Sequence, residues 1–306
     1  MIPFLDRLFG SAAPLILASM GALLTEQAGV LGIFMEGYMN AGAFFAWILA
    51  RETGSAALGT FYGACALGFT GWALARFVRK TGANPFIAAL AVNIAAGGAA
   101  DALSALWFGT KGVLRNPDLR IPGPVRVPLV EDLPLLGPLV SGRLFPVYLS
   151  WAAAAGTALF LYRTPWGIRL RAAGLSPMAA KERGLRPGLY WEGAWAAAAF
   201  LAGLAGAALC FRVGAYTPGS AAGRGWISLA AVYLGFRNPG GVFIAALMFA
   251  LAEWAAQTLQ GLSALPPTVL LGLPNALALI LYALSRRTWN RGGKHLASGN
   301  RRRGAF

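Results

Sequence analysis

The sequence predicts an all-α, polytopic transmembrane helical bundle of about nine spans, and three observations lead there. Of the 306 residues, 57% are hydrophobic and only 12% charged, with a mean hydropathy of +0.59; a soluble domain carries about a quarter charged residues. The apolar residues fall in runs close to the ~20 residues that cross a hydrocarbon core. Those runs are rich in Ala, Leu and Gly and lack the short alternation of a transmembrane barrel. The helix is then the way to satisfy every backbone polar group inside lipid.

Taken in order, the first four apolar runs are 12–24, 30–50, 56–78 and 85–108. The first closes at Thr25-Glu26-Gln27 and the third at Arg79-Lys80. The fourth opens on Pro85, suited to a first helical turn because the N–H it lacks would be unpaired there. Residues 109–143 hold prolines at 117, 122, 124, 128, 134 and 138; so polar and Pro-rich a stretch is expected as an ordered or semi-ordered surface loop. Runs 144–162, 189–210, 242–259 and 267–284 resume the spanning pattern. Between them, 226–236 falls below spanning length, bounded by Gly223/Gly225 and by Asn238-Pro239-Gly240-Gly241. The chain is thus organised as a membrane domain over 1–285 and a basic tail over 286–306, expected to be disordered.

The net charge of +15 does not point to nucleic acid, because the basic residues sit in loops and tail and leave the spans nearly free of them. That distribution orients a membrane protein. With 164–188 in the cytoplasm, the inner side holds three basic residues at 76–80, six between Arg163 and Arg186, Arg237 and seven in the tail, 17 of 26 in all. The other nine, among them Arg7, Arg51, Arg143, Arg212 and Arg224, fall outside with the 109–143 loop and the N-terminus. Cys65 and Cys210 lie in apolar context without metal-ligand spacing and read as buried, inert thiols. Residues 1–11 lack the pattern of a cleavable signal.

Five acids lie in or beside apolar runs: Glu26, Glu36, Asp101, Glu192 and Glu253. An ionisable group at membrane depth costs a few kcal/mol and normally faces a bundle interior or a cavity. Glu36 and Asn40, four apart, share one helix face; Asn93, Gly97 and Asp101 share another. For Glu36, Asn40 and Asn93 two readings stand, interhelical hydrogen bonding and contact with a solute in a central polar cavity. Glu192 reads as a first-turn carboxylate that complements the helix dipole and snorkels, and Glu253 as one near the outer end of its span. Gly59/Gly63 and Gly203/Gly206 are small-residue pairs that let helices approach closely.

The most polar interior stretch is 163–186, RTPWGIRLRAAGLSPMAAKERGLR. Within it, 174–185 predicts one short amphipathic helix: Ser176 as N-cap, Pro177 at the first position and Gly184 as the left-handed stop. Composition fits equally a docking surface for a cytoplasmic partner or an ordinary positive loop.

Three segments carry a resemblance. Gly167, Leu170, Arg171, Ala172, Gly174, Pro177, Ala179, Ala180 and Gly184 match the cytoplasmic coupling loop of ABC importer permeases, in the branch of nucleoside, simple-sugar and branched-chain amino acid permeases. AGRGWISLAAVYLGFRNPGG, 222–241, and TEQAGVLGIFMEGYMNAGAFFA, 25–46, resemble further motifs of the nucleoside and simple-sugar group, and Asn93 matches a family asparagine. The chain departs from the pattern at Gly32, where the family usually has Asn, and at Asn40, Phe44 and Phe45.

The resemblance implies a multi-pass permease subunit of the bacterial inner membrane that moves a nucleoside or simple sugar by alternating access. Its partners would be an ABC ATPase that binds the ATP, a second homologous permease or second copy, an extracytoplasmic substrate-binding lipoprotein and membrane lipid. The chain itself would carry no cofactor and no catalytic or metal site. It lacks the G-x-x-x-x-G-K-[ST] loop that cradles ATP phosphates. Expected pathway residues are Glu36, Asn40, Phe44, Asn93 and Asp101; expected ATPase-coupling residues are Arg171, Gly174, Pro177, Ala179, Ala180 and Gly184. Tyr38, Phe44, Phe45 and Trp47 also suit a flat ring such as riboflavin or a purine. A membrane-embedded enzyme would want His, Cys or paired acids near a membrane face, and the single histidine, His295, lies in the tail.

Overall fold

The computed structural model describes residues 2–116, 123–125 and 141–260. The run 267–284, the tail 286–306 and most of the Pro-rich loop lie outside the described residues. Ten helices and one two-stranded ribbon make up the described part. In order they are α1 (Ile2–Gln27), α2 (Met35–Thr53), α3 (Ala56–Thr81), α4 (Pro85–Phe108), β1 (Leu114–Arg115), α5 (Phe145–Arg163), α6 (Pro165–Leu175), α7 (Pro177–Glu182), α8 (Pro187–Val213), β2 (Ala215–Tyr216), α9 (Arg224–Leu234) and α10 (Pro239–Gln260). Five of them, α1, α4, α5, α8 and α10, are long and apolar enough to cross a membrane. The chain divides into two compact units, Met1–Leu251 and Ala252–Phe306. Of the second, residues 252–260 are described: the last turns of α10, where Gln257 donates to Glu253 one turn back.

α8 is the centre of the first unit, packed on α1, α2 and α3. Its buried face is almost all Ala and Gly, from Ala198 to Ala208, which brings the axes close and trades side-chain bulk for backbone contact. A Cβ on Gly206 would stand 2.0 Å from the Met39 carbonyl of α2, and one on Gly42 would stand 2.6 Å from Gly203. Gly59 and Gly63 of α3 meet Ala46 and Ala50 of α2 in the same way. Both glycine pairs singled out in the sequence therefore sit at helix crossings.

One end of the bundle gathers the end of α1, the start of α8 and the end of α3, where Glu192, 2% exposed, accepts from Arg79 at 2.5 Å and faces Arg76 at 3.7 Å. Glu192 neither snorkels nor lies in a first turn, because α8 begins at Pro187 and carries the residue inward between α3 and α8. The other end gathers the start of α1, where Asp6 pairs with the buried Arg143. Here β1 pairs antiparallel with β2, Leu114 opposite Tyr216, capping a cluster of Phe44, Trp47, Ala100 and Cys210.

Two further expectations change. The first run extends at both ends, from Ile2 to Gln27, through Pro14. Cys65 is exposed and only Cys210 is buried, since an apolar neighbourhood in a membrane helix marks a lipid-facing surface as readily as a core. Substituting Gly206 by Val forces bulk into the α2–α8 crossing, and we expect a loss of about 1–3 kcal/mol, read as a lower thermal midpoint in detergent. Gly98→Ala, on an α4 face with nothing within 4 Å, should leave the midpoint unchanged.

Candidate functional site at two interrupted helices

α9 is 11 residues long, about 16 Å or half a hydrocarbon core. α2 starts beside Asn93, the ninth residue of α4, about 12 Å along that helix. Both elements therefore begin inside the bundle, with N–H groups that the preceding chain cannot satisfy. Their starts meet. The Glu36 carboxylate, in the first turn of α2, accepts from Gly223 N–H through Oε1 and from Gly225 N–H through Oε2, each at 2.8 Å. One carboxylate thus caps the start of α9 from the start of α2, where the dipoles of both helices favour negative charge. The crossing is tight: a Cβ on Gly225 would lie 2.3 Å from Glu36 N.

Asn93 acts like a peptide group set into the other break. Its Oδ1 accepts from Gly37 N–H and its Nδ2 donates to the Ile33 carbonyl, both at 2.7 Å. Asn40 Oδ1 accepts from Ala221 N–H at 3.0 Å. All three polar residues hold the backbone of the interrupted segments. Arg224, counted with the outer loops in the sequence, sits at this crossing because 217–223 turns back into the bundle, and its guanidinium donates to the Ser220 and Ala221 carbonyls.

The other two expected pathway residues lie elsewhere. Asp101 is two turns further along α4, partly exposed, and among the described residues its carboxylate has no hydrogen bond or ion pair. Phe44 is 1% exposed and packs edge-on against Tyr216 at 5.1 Å. It also lines a cavity of about 470 Å³ between α2, α3 and α4, with Tyr38, Phe45, Thr70 and Phe77. Trp47 is instead turned into the cluster under the ribbon. Gly32 lies in the turn between α1 and α2, donating to Thr25 Oγ1 at 2.9 Å, away from that cavity lining.

The 163–186 stretch forms two helices where one was expected. Thr164-Pro165 repeats the Ser176-Pro177 start: Thr164 Oγ1 accepts from Gly167 N–H and Ser176 Oγ from Ala179 N–H. α6 and α7 therefore meet at Ser176, and Gly184 takes the left-handed conformation, φ +76°, after α7. Three of the six expected coupling residues face the chain's own body. Arg171 lies over the Tyr162 ring at 4.6 Å. Gly174 is pressed on the end of α1, where a Cβ would stand 2.2 Å from the Gln27 carbonyl. Ala180 is 4% exposed. Pro177, Ala179 and Gly184 are exposed, together with Leu175 at 88% and Met178 at 77%.

The residues missed from the sequence are the fasteners of the α1–α2 turn: Thr25, Gly29, and Trp195, whose indole N–H donates to the Val30 carbonyl at 3.1 Å. Gly29 takes φ +84°, and a Cβ there would meet Gly174 O at 2.8 Å. The A-G-V at 28–30 was the available signal, since a glycine after a helical run marks a left-handed stop.

Residues 4–284 match the family described as branched-chain amino acid transport system / permease component. The chain is 31% identical over 258 residues, 79% of its length and 78% of the relative's, to the guanosine ABC transporter permease protein NupQ of Bacillus subtilis. It is 27% identical over 285 residues, 89% of each chain, to the nucleoside ABC transporter permease protein NupC of Lactococcus lactis. A third relative, TsgC13 of Haloferax volcanii, provisionally named as a glucose ABC transporter permease, is 29% identical over 272 residues, covering 87% of this chain and 81% of its own. No solved structure matches.

Replacing Glu36 by Ala strands two N–H groups at the start of α9. With charge-assisted hydrogen bonds each contributing about 1.5–3 kcal/mol, we expect the thermal midpoint in detergent to fall clearly. Glu36→Gln keeps one acceptor oxygen and should fall less. An unchanged midpoint for Glu36→Ala would show that the crossing does not hold α9.

Proposed function

We propose, for a chain that belongs to the branched-chain amino acid transport permease family, that it is the membrane subunit through which an ABC importer moves a nucleoside. The 31% identity to a guanosine permease over most of both chains carries this reading, and the nucleoside permease relative supports it. Family membership and the apolar helices make the chain a multi-pass protein of the inner membrane. Membership implies an ATPase subunit and a substrate-binding protein as partners. We extend the partners to a second permease, homologous or identical, and an extracytoplasmic binding lipoprotein, with this chain a transport subunit and ATP hydrolysis confined to the ATPase.

The solute pathway we assign to the side of α4 that carries Asp101 and to the aromatic-lined cavity between α2, α3 and α4. The Asp101 carboxylate, which makes no hydrogen bond or ion pair among the described residues, suits ribose hydroxyls, and Tyr38, Phe44 and Phe45 suit the face of a base. Glu36, Asn40 and Asn93 serve this pathway by fixing the interrupted helices beside it. The ATPase meets the exposed ridge of Leu175, Met178 and Ala179, with Pro177 and Gly184 shaping it. Ala180, Arg171 and Gly174 hold that ridge on the membrane body. ATP-driven closure of the ATPases then moves the ridge, and the bundle alternates between outward- and inward-open forms.

Proteoliposomes containing the complete importer should accumulate radiolabelled guanosine on addition of ATP, and glucose in its place would move the substrate to the sugars. Met178→Glu puts a charge in the apolar ridge and should weaken ATPase pull-down by about tenfold or more while leaving membrane insertion intact. Full ATPase binding by that variant would mean that α7 is a solvated loop.

A further inference from the structure

The turn that joins α9 to α10 is strained and tied to α1. Phe236 and Arg237 both take left-handed backbone conformations, φ +54° and +56°, which strain a residue that carries a Cβ. Such a conformation persists only where neighbours over-determine it. Here they do. Glu26, near the end of α1, uses both carboxylate oxygens: Oε1 faces Arg237 Nη2 at 2.9 Å and Oε2 accepts from Tyr233 OH at 3.1 Å. The next residue, Gln27, donates through Nε2 to the Arg237 carbonyl at 2.7 Å. The Arg237 guanidinium also lies over the Tyr233 ring at 5.5 Å.

The coupling stretch presses on the residues directly next to Glu26, and Gln27 is common to both contacts. Gly174, the last residue but one of α6, packs its backbone against Gln27, Ala28 and Gly29 with no room for a side chain on either glycine. Along α9 from this clasp, 11 residues lead to Gly223 and Gly225 and so to Glu36. A rigid half-helix is thus held at one end beside the coupling stretch and at the other by the start of α2.

We infer that the Glu26–Arg237–Tyr233 clasp, with Gln27, is the junction that passes movement of the coupling stretch to the half-helix α9 and hence to the membrane interior. The inference rests on the ATPase docking proposed above for α6 and α7. Its residues are positioning residues; none is assigned to contact with solute. Removing the clasp leaves the ATPase ridge and the Glu36 crossing in place and takes away the link between them. ATP would then be hydrolysed without movement of solute.

The test uses the complete importer in proteoliposomes, with ATP hydrolysis and ATP-driven guanosine uptake measured on the same preparation. Arg237→Gln and Glu26→Gln should assemble with the ATPase as wild type does and hydrolyse ATP at or above its rate. Uptake per ATP should drop by about tenfold, within the range of typical coupling factors. The exchanged pair Glu26→Arg with Arg237→Glu should recover a substantial part of that ratio. Wild-type uptake per ATP in both single variants overturns the inference, as does an exchanged pair no better than the singles. Loss of assembly in the Gln variants also overturns it, because the clasp would then act in folding alone. A wild-type chain that fails to bind the ATPase, or is insensitive to Met178→Glu, instead sinks the docking on which the inference rests.

Discussion

The turn between α1 and α2, residues 28–34, is the constraint on which the rest of the structure depends. A chain that leaves its helix inside a membrane exposes N–H and C=O groups that lipid cannot satisfy. Every fastener around this turn answers that demand. Thr25 takes the Gly32 N–H, Trp195 gives a hydrogen bond to the Val30 carbonyl, and Asn93 takes Gly37 N–H while giving to Ile33. Each comes from a different helix, so closing one backbone gap fixes α1, α4 and α8 around α2. The second gap, before α9, is closed by Glu36 and Asn40 from α2 itself. Polar side chains at membrane depth, which are costly alone, are here consumed by backbone.

This division of labour separates what holds the molecule from what can act on a solute. The groups that hold backbone lie at the crossing; Asp101, without a hydrogen bond among the described residues, and the aromatic cavity lie along α4. Among the described residues α4 packs mainly on α2 and leaves most of its surface uncovered. The Ala- and Gly-lined core about α8 is by contrast a backbone-to-backbone contact with little room to yield. A bundle with one dense half and one lightly held helix is suited to alternate between two arrangements without unfolding.

Much of this was legible in the sequence, and the limits have physical causes. Pro85, Ser176-Pro177 and Gly184 marked helix ends correctly because each acts locally, through a missing N–H, a capping oxygen or a left-handed turn. Glu36, Asn40 and Asn93 were found by their cost in an apolar setting, but periodicity could not say that their partners were backbone groups up to 189 residues away. Thr164-Pro165 carried the same signal as Ser176-Pro177 but was left inside the polar stretch without a helix of its own, since the basic residues that follow it read as a loop. Ala180 matched a partner-binding motif, yet its smallness serves the chain's own packing. A motif preserves spacing and does not say which side of it faces the partner. That Arg224 lies beside the start of α9, within a segment that packs on α2, was likewise not legible from a count of charges.

On the proposal above, nucleotide state at the ATPase reaches α9, and through Glu36 the start of α2, by way of the Glu26–Arg237–Tyr233 clasp at the end of α1. Hydrogen exchange followed by mass spectrometry on the complete importer in nanodiscs, with and without vanadate-trapped nucleotide, tests it directly. Altered exchange is expected at 25–37 and 221–237 together, with the α8 core at 198–208 unchanged in both states. A change confined to 165–185, with the two interrupted segments unaltered, would contradict it.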